Sequence, residues 1–145
     1  MDREMLLRHW DEAWSEGLWA APWNRALEGL TAAEAMWSPQ PERHCIWQCI
    51  NHILFWREVA LRRLKGEKVE AAERQRRNWE MPRETTGAAL EDLRRAWERS
   101  HQDVRAAIAD ARHDLSTLQF VAYHDSYHVG QIMLLRAMQG LAPIE

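Results

Sequence analysis

The sequence predicts an all-α protein, an up-and-down bundle of four helices, and three observations carry that prediction. Apolar residues recur at helical spacing over four long stretches. No segment alternates apolar and polar residues with β-branched enrichment. Glycine, proline and capping residues stand at the ends of the periodic stretches. At 145 residues the chain fits one domain, residues 1–145, around a single core.

The first helix is expected over roughly 2–16, where Leu6, Trp10, Ala13 and Trp14 share a face and Gly17 stands at the stop. A long connection follows, broken by Ala-Ala-Pro-Trp-Asn, Gly29 and Ser-Pro-Gln-Pro. Within it Thr31, with Glu34 three positions on, has the spacing of a capping box, which predicts a short helix over 31–36. The second long helix begins near 44–46 and runs to Leu64, its broad apolar face made by Ile46, Cys49, Ile50, Ile53, Leu54, Trp56, Val59 and Ala60, with Gly66 as stop. Residues 66–82 are rich in Glu, Arg and Lys and end in Met-Pro, so they read as an exposed crossing with Arg74, Arg76 and Arg77 solvated. The third helix starts at Thr85 or Thr86 and continues to about 110 on a stripe of Leu90, Leu93, Trp97, Val104 and Ile108, with His101 on the same stripe. The fourth covers roughly 117–139, opens near Ser116 or Thr117, and ends at Gly140 with Pro143 beyond.

Composition narrows the function classes. Nineteen basic residues against 22 acidic ones, interspersed, give a net charge of −3 and no electrostatic footprint for nucleic acid. The N-terminus lacks an apolar signal-peptide region, and no stretch approaches the roughly 20 apolar residues that cross a bilayer, so a cytoplasmic protein with no membrane partner is expected. No phosphate-binding glycine loop, dinucleotide fingerprint, serine-protease order or internal repeat is visible. The two cysteines, Cys45 and Cys49, sit one helical turn apart, which suits small core residues better than a secreted disulfide framework; a thiolate contribution to a metal site is the minor alternative.

Seven histidines occur, and three of them form a pattern. His124 and His128 are four apart on the fourth helix, so their Cβ atoms lie about 5–6 Å apart on one face and both rings can reach one ion. In an up-and-down bundle the second and fourth helices run parallel. His52 lies about seven residues into one, and His124 and His128 about seven and eleven into the other; at about 1.5 Å per residue all three come to nearly one height. All three also share faces with apolar residues: His52 with Cys49, Trp56 and Val59, the pair with Val121, Ile132 and Leu135. Three buried imidazoles around a divalent ion each satisfy one nitrogen and leave the other for an acceptor. The competing reading is three core histidines bonded to backbone carbonyls. A three-histidine set suits zinc, nickel, copper or iron, and its uncompensated charge would acidify water or a thiol, opening hydrolysis and thiol transfer alike.

The run His124-Asp125-Ser126-Tyr127-His128-Val129-Gly130-Gln131-Ile132, followed by Leu134-Leu135-Arg136, resembles the last-helix signature of the DinB/YfiT-like family of metal-dependent enzymes. Cys45-Ile46-Trp47-Gln48-Cys49-Ile50-Asn51-His52 is similar to that family's segment in which a small polar residue opens the helix and a histidine follows seven positions later. Cys45 departs from the usual serine or threonine, and sulfur is a weak cap acceptor. The run at 27–35 and the helix end Leu64-Lys65-Gly66 extend the likeness to nearly the whole chain. The resemblance implies a nickel or zinc ion on His52, His124 and His128, open coordination positions, and a homodimer. For chemistry it implies a small-molecule substrate, acted on by a transferase with a low-molecular-weight thiol cosubstrate or by a hydrolase; a non-catalytic metal-binding bundle with a sequestration, sensing or structural role is the alternative.

Other residues are weaker candidates. Gln131 could orient a ligand or water at the ion, or bond to a neighbouring helix; His101 could serve as acid or base, or sit in the core between Trp97 and Val104. Asp125 and Tyr127 flank the ligand face, with Asp125 either supporting a histidine or solvated. His9, His44 and His113 have no spacing that argues for chemistry. Of the nine tryptophans, Trp47, Trp56 and Trp97 supply packing, and Trp19, Trp23 and Trp37 could cover the bundle end or a dimer partner.

Overall fold

The computed structural model describes residues 2–144, which form six α-helices and one 3₁₀ turn, with no strand among the described residues. The first helix, α1, is Arg3–Ser15, opened by Asp2, whose carboxylate accepts from the Met5 amide at 2.8 Å. It stops at Gly17, where φ is +90° and a Cβ would lie 2.0 Å from the Ala20 carbonyl oxygen, so only glycine fits the turn. A 3₁₀ turn at Trp23–Arg25 carries Trp23 into the core, while Trp19 stands fully exposed. The short helix α2, Ala32–Met36, carries the expected capping box between Thr31 and Glu34.

The second long helix is α3, Ile46–Leu64. Its thiol cap is reinforced by Gln48, whose side-chain oxygen accepts from the Cys45 amide at 3.2 Å. The longest elements follow as α5, Gly87–Ala109, capped by Thr86, and α6, Leu115–Met138. The cap of α6 is Asp114 rather than Ser116 or Thr117; its carboxylate accepts from the Ser116 amide, so the helix starts two residues earlier than the hydroxyls suggest.

The segment 66–82 is not only an exposed crossing. Residues Ala71–Arg77 form a helix, α4, between α3 and α5. Arg77 is not simply solvated: it pairs with Glu58 at 2.7 Å and Glu73 at 3.0 Å, and its guanidinium lies 4.7 Å from the Phe55 ring centre. Arg74 donates to the Val69 carbonyl at 2.8 Å, and Arg76 alone of the three is exposed without such a bond. Arg77 reads as solvated in the sequence because its closest partner, Glu58, lies on another helix, α3.

Helix α3 packs against α6, α5 and α2, and α1 packs against α5 and α6. The core between them contains Leu6, Trp10, Ile46, Ile50, Ile53, Leu90, Val104, Ile108, Leu118 and Ile132, each nearly or wholly buried. Two of the buried indoles find acceptors: Trp97 donates to the Trp23 carbonyl at 2.9 Å and Trp10 to that of His101 at 3.2 Å. Two arginines fasten the long connection to this frame. Arg136 of α6 donates to the carbonyls of Ala26 and Glu28, and Arg94 of α5 to those of Leu27 and Leu30. No helix among the described residues is long and apolar enough to cross a membrane.

Candidate metal centre

His52 projects from the second turn of α3, and His124 and His128 from adjacent turns of α6, at the face where these two helices pack. Their ring centres lie 5.0 Å (His52–His124), 4.5 Å (His52–His128) and 4.5 Å (His124–His128) apart. One ring nitrogen of each lies within 4.8 Å of the others, a group that could hold a metal ion. His52 and His128 are buried, and His124 keeps part of its ring at the surface. The expected convergence of the three is therefore present.

The hydrogen bonds decide what these rings offer. Nδ1 of His52 faces the Asn78 carbonyl at 2.6 Å, Nδ1 of His128 faces the Gln131 side-chain oxygen at 2.6 Å, and Nδ1 of His124 faces the Asp125 carboxylate at 3.2 Å. Carbonyl, amide and carboxylate oxygens only accept, so each Nδ1 carries the proton and each Nε2 is left with its lone pair. Two such nitrogens, Nε2 of His52 and of His124, then stand 3.0 Å apart. Neutral lone pairs at that separation repel, and a cation between the rings removes the conflict. Burial, with the neighbouring histidines, lowers the His52 pKa to about 4 against the opposing pull of the Asn78 carbonyl, and burial lowers that of His128. Both are neutral at pH 7, the state a metal requires.

The acceptors are themselves held. Asp125 is wholly buried and pairs with the wholly buried Arg57, Nε to carboxylate at 2.7 Å, so the solvated reading of Asp125 is wrong. The Arg57 guanidinium sits among Trp97, Trp10 and Trp23, at 4.2, 5.0 and 5.9 Å from their ring centres, and its Nη1 and Nη2 have no hydrogen-bond partner. Gln131 spends its oxygen on His128 and donates from Nε2 to the Tyr127 hydroxyl at 3.2 Å; its bonds stay on its own helix. Residues 78–80 form a strap over α3. The Gln48 and Asn51 amides donate to the carbonyls of Trp79 and Glu80, and the Trp56 indole donates to the Asn78 side chain at 2.9 Å. His52 and His44 both stack on Trp79 at 3.8 Å.

Three residues considered as candidates, His101, Cys45 and Cys49, fall outside the group. His101 is buried in a stack with Trp14 and Trp10, ring centres 4.2 and 5.3 Å away, and its Nδ1 has no hydrogen-bond partner. Cys45 and Cys49 are buried thiols whose pKa values burial raises, that of Cys49 to about 12, and neither joins the histidines. Conversely, Asn78, Trp79 and Arg57 escaped the sequence reading. Trp79 is the sole aromatic residue in the charged stretch 66–82, and Arg57 the charge inside the apolar face of α3; each was a visible anomaly.

Comparison with curated proteins and with solved structures finds no match. The family model described as the DinB superfamily matches residues 19–132, a span that holds all three histidines, the strap and the Arg57–Asp125 pair. The chain belongs to the DinB superfamily.

Proposed function

We propose that His52, His124 and His128 hold one divalent ion, nickel or zinc, and that the protein is a metal-dependent enzyme acting on a small molecule, as a thiol-dependent transferase or a hydrolase. In this reading α1, α3, α5 and α6 are the four-helix bundle of a single domain, and the protein works as a cytoplasmic homodimer. The expected up-and-down order with the second and fourth long helices parallel does not hold, since Cys49 lies beside Gln131 and Met138 and Arg63 beside Thr117, so α3 and α6 run antiparallel. The observation that carries the proposal is the set of three Nδ1–acceptor bonds, which leaves each Nε2 with its lone pair in a group whose ring nitrogens lie within 4.8 Å of one another. The donor set fits the ion: imidazole nitrogen suits zinc and nickel, and no thiolate or carboxylate joins the group among the described residues. Three protein ligands leave coordination positions for substrate, which is the pattern of catalytic rather than structural sites. The chemistry such an ion supplies is Lewis acidity, enough to bring the pKa of water or a thiol toward neutrality.

The chain's own residues do the remaining work. Asn78, Asp125 and Gln131 fix the tautomer and orientation of the histidines, and Trp79 and Trp56 cover His52 from bulk water. A non-catalytic role is favoured by one observation: the one carboxylate in contact with these histidines among the described residues, Asp125, is already committed to Arg57.

Elemental analysis of purified protein beside His124→Ala tests the shared claim, with one ion per wild-type chain expected and less than a tenth of that in the variant. No stoichiometric metal in the wild type after reconstitution refutes it. With metal bound, turnover that needs an added thiol and disappears in His52→Ala identifies the transferase, and turnover without thiol the hydrolase. Metal that raises thermal stability with no turnover in either screen leaves the structural role.

A further inference from the structure

A groove of about 310 Å³ runs between α3 and α6 and ends at His124. Its walls are Trp56, Val59, Ala60, Val121 and Phe120, with Thr117 and Arg63 completing the lining. The volume corresponds to about ten waters, at the small end of ligand sites. Its lining is mostly apolar, and its deep end is fixed: the Trp56 indole is tied to Asn78 and lies edge-on to both His52 and His124. Of the three histidines only His124 lines this groove, and it is also the one whose ring reaches the surface.

The charge pattern around the groove is selective. Arg62 and Arg77, on or beside the same stretch of α3, are occupied by Glu58, Glu67 and Glu73. Arg63 is exposed, lines the groove, and makes no ion pair among the described residues. No acidic residue is in the lining. An apolar channel with a free guanidinium and a histidine matches a molecule with an apolar body and a single anionic group, since the fork of Arg recognises carboxylate-type oxygens and apolar walls desolvate the rest.

We infer that this groove binds a small amphipathic anion, an apolar body carrying one carboxylate-type group that pairs with Arg63. Taken as the substrate of the histidine centre, this ligand class rests on the proposed function above; as a binding site, the groove stands without it. The test therefore uses metal-free protein, with metal content measured separately. Calorimetric titration with 4-phenylbutyrate and with its uncharged amide is expected to show the carboxylate binding five- to tenfold tighter. Arg63→Gln is expected to erase that preference and leave amide binding unchanged. Thr117→Phe, which fills the groove, is expected to weaken both ligands at least fivefold while the variant keeps wild-type zinc binding. Equal affinity for the two probes in the wild type, a preference that survives Arg63→Gln, or binding indifferent to Thr117→Phe would each overturn the inference. Loss of the metal claim with these results intact would remove the catalytic reading and leave the anion site.

Discussion

Arg57 and Asp125 are the residues on which the site's electrostatics turn. Burial pushes the Arg57 pKa down and the Asp125 carboxylate pulls it back, and both side chains are inaccessible to solvent. Breaking a buried pair from one side leaves the other charge uncompensated, at a cost of about 3–5 kcal/mol, whereas replacing both sides together costs less. Asp125→Asn should therefore destabilise by about that amount in chemical denaturation, and Arg57→Met combined with Asp125→Asn should be less damaging than the two single effects added. Because Asp125 also accepts from His124, Asp125→Asn should weaken zinc affinity about 10–100-fold, read by competition with a chelator under conditions where the variant is folded. Unchanged zinc affinity would deny it that role. His101 makes a second, independent prediction. Burial, with Arg57 nearby, holds its pKa at about 4 against an ordinary 6.5, so the unfolded chain takes up a proton at higher pH than the folded one does. Its contribution to stability is complete above about pH 6.5 and is lost as pH falls toward 4, by at most about 3 kcal/mol. His101→Phe preserves a ring between Trp10 and Trp14 and removes the proton site, so its stability should fall less steeply between pH 7 and pH 4.5 than the wild type's. Parallel pH profiles would show that His101 does not titrate in that window.

At the scale of elements, the strap after α4 does what no long helix does: it reaches across α3 to the site. Arg77 clamps α4 to Glu58, and the next three residues deliver a carbonyl to His52 and an indole to its ring face. Trp79→Ala should loosen this strap first. Limited trypsin digestion should then cut at Arg76, Arg77 or Arg83 several times faster than in the wild type, with cleavage at the distant Arg112 unchanged; equal rates at all of these sites would mean that Trp79 does not hold the strap. The strap also marks where sequence reading ends. Long helices were legible because 3.6-residue periodicity is a local property, and His124 and His128 because residues four apart share a helix face. The level at which His52 meets them was not legible, since equal heights presuppose parallel helices and α3 and α6 run antiparallel. Asn78 contributes to His52 through its backbone carbonyl, which has no side-chain signature at all. Arg57 and Asp125 are far apart in the chain, so although Arg57 stands out as a charge on the apolar face of α3, nothing local pairs it with Asp125. His101 had the right stripe and the wrong neighbours, since a face says which way a ring points and not what meets it.

For the whole molecule, the outer face of α6 carries the proposed homodimer. Charged residues make up 28% of the chain, yet the only two on this 24-residue helix, Asp125 and Arg136, are buried. Along its solvent side Phe120, Tyr123, Tyr127, Gly130, Leu134 and Ala137 are all exposed, at alternating three- and four-residue spacing. That spacing matches the narrow seam through which helices pair, and it extends for about 26 Å. Gly130 near its middle meets nothing within 4 Å of a built Cβ, so a neighbouring backbone can approach closely there. The seam is rich in aromatic residues and free of charge, as interface centres are, and in the proposed homodimer a second copy would supply a matching seam through a two-fold axis. Light scattering should give a mass of about 34 kDa for a chain of 17.1 kDa. Tyr123→Glu with Leu134→Glu would set four carboxylates into that dry contact, each without a partner, and should yield a folded monomer with the wild-type helical signal. Neither substitution touches the three histidines, so the monomer should still bind one metal ion per chain if each subunit holds its own centre. A wild type that is monomeric at micromolar concentration, or a double variant that keeps the dimer mass, places the seam outside any interface. Loss of metal together with the dimer would instead mean that pairing of the two copies helps to set the geometry of His124 and His128.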